Sequence, residues 1–158
     1  MKKQELRSDC PINYSLEIIG DKWSLLIIRD IAVFGKTSYG EFLNSDEKIA
    51  TNILSNRLNM LEANGIISKK QNVTNKTKFI YSLAQRGLDL MPLLIDMLIW
   101  SSKQHPAENG PDVLLAKMAL ENRQQLIDAI QSHVQAGNRR PFTQTLLTKD
   151  ALRLNSAA

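Results

Sequence analysis

The apolar positions of this chain change their period several times, and each change marks an element. Ile12, Leu16 and Ile19 share one face of a short helix, which Pro11 suits at its first position and Gly20 ends. Asp21 is placed to cap a second helix through WSLLIIRDIAVF, stopped by Gly35. Ser38 and Glu41 fit the S-x-x-E capping box, so a third, short helix is expected over 39–43. After a loop at 44–46, the stretch IATNILSNRLNMLEANG carries Ile53, Leu54, Leu58 and Leu61 at helical spacing and ends at Asn64-Gly65. The period then falls to two. Phe79, Tyr81 and Leu83 alternate, predicting a hairpin with strands over 66–72 and 77–83 and a turn at 73–76. Three helices followed by a basic hairpin is the order of a winged helix-turn-helix.

The next segment is apolar on more than one side. From Leu88 to Trp100, apolar side chains cover roughly 260° of the helical projection, and only Asp89, Pro92 and Asp96 share the rest. A helix serving a single core shows a narrower stripe. One long helix is therefore expected over 85–103, kinked where Pro92 lacks the N–H that would bond Leu88. It has two faces to bury, one in its own domain and one elsewhere. Homodimerisation through Leu90, Leu94, Met97, Leu98 and Trp100 supplies the second, and the central helix of a monomeric bundle is the alternative. Residues 105–112 (HPAENGPD) read as a linker. A further helix is expected over 113–136, with Leu115, Met118, Leu126, Ile127, Ile130 and Val134 as its apolar positions, and a frayed helix over 146–154. The fold class expected is mostly α with a small β-hairpin. A winged helix-turn-helix domain with its dimerisation helix spans 8–105, and a C-terminal helical extension spans 106–158, packing on the dimer helices or walling an effector pocket.

With 158 residues, 43% apolar and 23% charged, the chain suits one domain of ordinary size with an appendage. The start MKKQELRSDCP lacks the apolar run of a signal peptide, and the longest apolar-rich stretch is too short to span a bilayer. A single cysteine gives no disulfide framework, so a cytoplasmic location with no membrane partner is expected. Charge adds something sharper. Between Thr51 and Leu83 lie Arg57, Lys69, Lys70, Lys76 and Lys78 against the single acid Glu62, while the remaining 15 basic and 15 acidic residues cancel. The whole net charge of +4 therefore sits on the fourth helix and the hairpin, the footprint of a polyanion-binding face.

The outer side of the fourth helix carries Thr51, Asn52, Ser55, Asn56 and Asn59, all poor helix formers where Glu and Lys would ordinarily stand. Asn can bond adenine N6 and N7 together, and Ser or Thr can meet several base edges. Carboxylates would be repelled by phosphates, and lysines would grip the backbone without reading sequence. The face is suited to a major groove, with Lys69, Lys76 and Lys78 of the hairpin adding phosphate contacts. Ser38 is counted with the DNA-binding residues. Arg57 projects toward the flank of the apolar stripe, where a phosphate contact and a structural pair with Glu41 or Glu62 are both open.

CPINYSLEIIGDKWSLLIIRDI, then YGEF, IATNILSNRLNMLEANGII, YSL and the segment 87–100 together resemble the HxlR family of bacterial transcriptional regulators, winged-helix proteins related in architecture to MarR-type regulators. The resemblance covers about residues 8–105. It implies a homodimeric DNA-binding repressor or activator in which the helix over 51–64 recognises DNA and the hairpin is the wing. The helix over 85–103 would join the first helix in the dimer interface. Asp21 stands where the family often has glycine, and Ala84 where it has a capping Thr or Ser.

Cys10 precedes Pro11 at the positive end of the first helix, where dipole and free N–H groups favour a thiolate. Some family members use a cysteine at the matching position to sense oxidants or electrophiles. Asp9 opposes activation, and a merely packed thiol is the competing reading. His105 and His133 with one cysteine form no metal-ligand cluster, and no G-x-S-x-G or phosphate-cradling loop is present, so neither cofactor, metal nor enzymatic activity is expected. The expected function is a sequence-specific transcription factor, a repressor answering a small-molecule or redox signal on a near-palindromic double-stranded operator. The alternative is an effector-binding or protein-interaction module on the same scaffold without specific DNA binding.

Overall fold

Pro11 opens α1 (Pro11–Ile19), where a missing N–H leaves no acceptor unsatisfied, and Gly20 closes it by donating to the Leu16 carbonyl at 2.9 Å. In this computed structural model, which describes residues 7–105 and 111–146, the next element organises the rest. α2 (Lys22–Ala32) begins on Asp21, whose Oδ1 accepts from the Trp23 and Ser24 amides at 3.0 and 3.1 Å. It ends at Ala32, short of Gly35. Ile27, Ile28 and Ile31 bury one flank of α2 in the core, against which α4 (Thr51–Ala63), the hairpin and the later helices pack.

α3 (Tyr39–Leu43) is the short helix expected, and both halves of its capping box are formed. The Glu41 carboxylate accepts from the Thr37 and Ser38 amides at 2.8 and 2.7 Å and from the Ser38 hydroxyl at 2.8 Å. Partial burial raises the Glu41 pKa, but these hydrogen bonds outweigh it and hold the carboxyl below its usual range. The stabilisation is therefore full above the unfolded value of 4.5 and is lost as pH falls through the lower folded value. Glu41→Gln should cost about 1 kcal/mol at neutral pH. The deficit relative to wild type should shrink below about pH 4, as read from urea titrations at several pH values.

Gly65, at φ +67°, turns the chain out of α4 in the left-handed conformation that side chains resist, and its N–H bonds the Glu62 carbonyl at 2.9 Å. β1 (Ile67–Gln71) and β2 (Phe79–Leu83) pair antiparallel, Ile67 opposite Leu83 and Lys69 opposite Tyr81. They are shorter than the strands expected at 66–72 and 77–83. The intervening loop is built from two Asn turns that capture the loop's own amides: Asn72 Oδ1 accepts from Thr74 and Asn75, and Asn75 Oδ1 accepts from Thr77. Arg86 then ties three elements together, donating to the Asn64 carbonyl at 2.6 Å and to the Tyr14 hydroxyl at 2.9 Å.

The long helix expected over 85–103 is two helices, α5 (Gln85–Leu88) and α6 (Met91–Gln104). Pro92 lies in the first turn of α6 and not in the middle of a kinked helix. No intrahelical acceptor needs an N–H there, so breaking at Asp89–Leu90 costs less than bending around the ring. The helix expected over 113–136 is likewise divided, into α7 (Pro111–Glu121) and α8 (Arg123–Gln135). Asn122 leaves helical geometry at φ −152° and caps α8 by accepting from the Gln125 amide at 3.1 Å. Pro111 belongs to α7; residues 106–110 of the expected linker, and all but Leu146 of the helix expected over 146–154, lie outside the described residues.

α7 and α8 both pack on α6, and Leu115, Ala119, Leu126, Ile127 and Ile130 join the same buried cluster as the α2 isoleucines. Three polar ties reinforce this: Arg123 to Asp96 at 2.5 and 2.7 Å, Gln131 to the Leu88 carbonyl at 3.0 Å, and the Phe142 amide to the Val33 carbonyl at 2.8 Å. The extension also passes close to Gly35, where a Cβ would lie 2.7 Å from the Arg139 carbonyl oxygen. The fold is mostly helical with a two-stranded hairpin.

Candidate nucleic-acid interface

α4 divides cleanly by period. Leu54, Leu58 and Leu61 are buried against α2, and Thr51, Asn52, Ser55, Asn56 and Asn59 are all exposed on the opposite side. Among the described residues, no hydrogen bond from these five side chains to the rest of the chain is formed. Beyond the helix's own backbone bonds, the Thr51 carbonyl accepts from the Tyr39 hydroxyl at 2.8 Å. Ala50 provides no side-chain cap, so the amides of the first turn also stay open. An anion near that end would be favoured by both the free N–H groups and the helix dipole.

Arg57 takes an intrachain partner, but neither of the two acids expected. Its Nη1 contacts Asp21 Oδ2 at 3.1 Å, joining α4 to the cap of α2, while Glu41 is committed to its capping box and Glu62 is exposed. Asp21 thus both caps α2 and holds α4, which a glycine could not do. Ser38 is equally occupied, its hydroxyl donating to Glu41.

The hairpin lysines separate into two kinds. Lys69 lies on the face of β1 shared with Ile67, and its ammonium sits 4.3 Å from the Phe79 ring centroid, a cation–π contact at the open end of the core face. Lys76 and Lys78 are exposed in the loop, as is Lys70 on β1. Lys70, on the opposite strand face from Lys69, is an additional cation free to meet a phosphate.

A buried charge network fixes how α4 is presented. Asp30, 3% exposed at the end of α2, accepts from Arg29 at 2.7 Å, Lys36 at 3.0 Å and the Ser45 hydroxyl at 2.5 Å. Arg29 also forks onto Glu47 at 2.6 and 3.1 Å. Burial disfavours the charged guanidinium, but Glu47 and Asp30 outweigh it and the Arg29 pKa is raised; the Glu47 carboxyl is correspondingly lowered, chiefly by Arg29. Ser45 and Glu47 belong to the turn that enters α4. The next residue, Lys48, holds a φ of +52°, uncommon for a residue with a Cβ and costing on the order of 1 kcal/mol. Sequence reading missed this network because its members lie on three different elements.

Elsewhere the surface is apolar. Ile12 and Leu16 on α1 are 70% and 61% exposed, and Trp100 on α6 is 67% exposed. Of the five residues assigned to a dimer face, Leu90, Leu94 and Leu98 are half-buried within the chain, while Met97 and Trp100 stay exposed beside Leu93. Cys10 is an exposed free thiol at the N-cap of α1.

A family model described as HxlR-like helix-turn-helix matches residues 18–109, more than half of the chain. The chain belongs to the HxlR-like helix-turn-helix family. It is 32% identical over 101 residues to the uncharacterized HTH-type transcriptional regulator YdzF of Bacillus subtilis, covering 64% of this chain and 89% of that one. It is 33% identical over 88 residues to the uncharacterized HTH-type transcriptional regulator sll1512 of Synechocystis, covering 56% of this chain and 64% of that one. Among solved structures it resembles the redox regulator HypR in its oxidised form, at 28% identity and a TM-score of 0.51 over 60% of this chain and 96% of that one. A MarR-family protein from Porphyromonas gingivalis W83 aligns at 26% identity and a TM-score of 0.53, over 66% of this chain and 100% of that one. This HxlR-like chain is a helix-turn-helix transcriptional regulator; its family is not an enzyme class. No described helix is long and apolar enough to cross a membrane.

Proposed function

We propose that this regulator works in the cytoplasm as a homodimer that binds a near-palindromic double-stranded operator and represses transcription until a small-molecule or redox signal releases it. The observation that carries the reading is the outer face of α4: five neutral donor–acceptor side chains, all exposed and none hydrogen-bonded to another side chain or backbone group among the described residues. A solvated helix face has no need of so many poor helix formers; a major groove uses each of them. Lys70, Lys76 and Lys78 supply sequence-independent grip, which weakens as salt rises. Pairing is supported by the exposed apolar side chains of α1 and α6, which together present Ile12, Leu16, Met97 and Trp100 to solvent. A two-fold axis through such an interface would set two copies of α4 roughly 34 Å apart, one helical turn of DNA. An exposed Cys10 on α1 and the likeness to the redox regulator HypR favour an oxidant or electrophile acting on the same interface.

The test uses genomic fragments retained by the purified protein. Asn52→Ala and Asn56→Ala should each remove about 1–3 kcal/mol of discrimination between preferred and scrambled fragments. Lys76→Ala should weaken both kinds of fragment alike and reduce the salt slope by about one. Equal binding of wild type and both Asn variants to every fragment would overturn base readout by α4. Sedimentation of the intact chain checks the pairing, since a monomer at micromolar concentration would remove the two-groove geometry.

A further inference from the structure

The segment beyond the family match contains a cavity of about 690 Å³, bounded by α7, α8 and the helical turn over 142–146. Its floor is apolar: Leu114 and Met118 from α7, Leu126 and Ala129 from α8, then Phe142 and Leu146. Leu126 and Phe142 are almost fully buried there. The rim is polar but carries no uncompensated charge. Lys117 and Glu121 form an exposed pair 3.9 Å apart whose formal charges cancel, and Gln125, Ser132 and Asn138 are neutral. His133 is held at the edge, its Nε2 donating to the Arg140 carbonyl at 2.8 Å and its ring set edge-on to Phe142.

Volume and charge decide what fits. A small molecule of ordinary effector size fits within the usual range of about 300–1,000 Å³. A charged ligand would be desolvated over an apolar floor and would meet on the rim only the exposed, oppositely charged pair Lys117 and Glu121, whereas an uncharged one loses little.

We propose that this cavity is an effector site for an uncharged, predominantly apolar small molecule bearing hydrogen-bonding edge groups, coupled to the DNA-binding half through Phe142. The Phe142 ring lines the cavity while its backbone amide bonds the Val33 carbonyl at the end of α2. Three residues earlier, Asp30 begins the network that holds the turn into α4. A second tie leaves α8, the other wall, through Gln131 to the Leu88 carbonyl ahead of α6. A ligand that displaces Phe142 or spreads α7 from α8 acts on both ties at once. The coupling rests on the DNA-binding reading above; the site does not.

N-phenyl-1-naphthylamine, a neutral dye that fluoresces when it leaves water, is the probe, and anilinonaphthalene sulfonate is its anionic counterpart. The intact chain, without DNA, should bind the neutral dye in a saturable way and more tightly than the sulfonate. Ala129→Phe, which fills the floor, should weaken binding roughly tenfold or more. Ser132→Trp, at the exposed rim, should do the same with the fold intact by circular dichroism. Absence of saturable dye binding, equal affinity for the sulfonate, or loss of binding in Trp100→Gln but not in the two cavity variants would each overturn the site. Saturating dye should shift the affinity for retained genomic fragments several-fold in wild type and not in Ser132→Trp. Dye binding with unchanged DNA affinity would overturn the coupling. A chain that ignores DNA altogether but still lights the dye would overturn the DNA reading and leave the site standing.

Discussion

Asp30→Ala is expected to destabilise the protein by about 3 kcal/mol or more, a large share of the roughly 5–15 kcal/mol that holds a domain of this size together. The carboxylate is 3% exposed and serves Arg29, Lys36 and Ser45 at once. Removing it leaves Lys36 without its carboxylate and the Ser45 hydroxyl without its acceptor, while Arg29 keeps only Glu47. The Arg29 and Lys36 side chains keep 28% and 23% of their exposure, so they can partly turn to water, which keeps the cost at the lower end for a broken buried pair. Asp30→Asn retains shape and one acceptor and should cost less. The consequence goes beyond stability, because Ser45 and Glu47 fix the turn in which Lys48 keeps its left-handed backbone. In Asp30→Asn, DNA affinity should fall while the dependence on base sequence keeps its form. Urea midpoints and fragment binding read the two effects separately; a loss of stability under 1 kcal/mol in Asp30→Ala would show that the network is not an anchor.

Leu54→Ala should cost about 2–5 kcal/mol, since a fully buried leucine leaves a cavity that α2 and α4 cannot close without moving. Its effect should be on the unfolding midpoint with the denaturant slope unchanged. Two positions earlier, Asn52→Ala is expected to change stability by no more than about 0.5 kcal/mol, because its side chain is exposed and forms no hydrogen bond among the described residues. One helix therefore divides into a side that holds the fold together and a side that the fold does not need. Thermal or urea unfolding of both variants checks the contrast directly. If Asn52→Ala unfolds as readily as Leu54→Ala, the two faces have been assigned wrongly.

α4 was legible before any coordinates because its two sides obey a local rule: apolar residues at helical spacing inward, amides and hydroxyls outward. The capping boundaries at Asp21 and Ser38 were legible for the same reason, each depending on residues two or three positions away. The breaks at Asp89–Leu90 and at Asn122 were not. Leu115, Met118 and Leu126 stay in phase across Asn122, so the apolar pattern runs on while the backbone stops. Pro92 was recognised as a disturbance but assigned to the middle of a helix, when a first turn accommodates it without loss.

Composition and periodicity, then, determined the order of elements, the two-sidedness of α4 and the confinement of net positive charge to that helix and the hairpin. These are short-range properties, written every two, three or four residues. Which acid holds Arg57, what Asp30 binds, how much of α6 the extension covers and where a cavity opens were decided by folding alone. Asp21 and Arg57 meet across 36 residues of chain, and Phe142 reaches Val33 across more than a hundred. Such pairs are chosen by the meeting of faces in space, and a linear pattern carries no record of which faces meet.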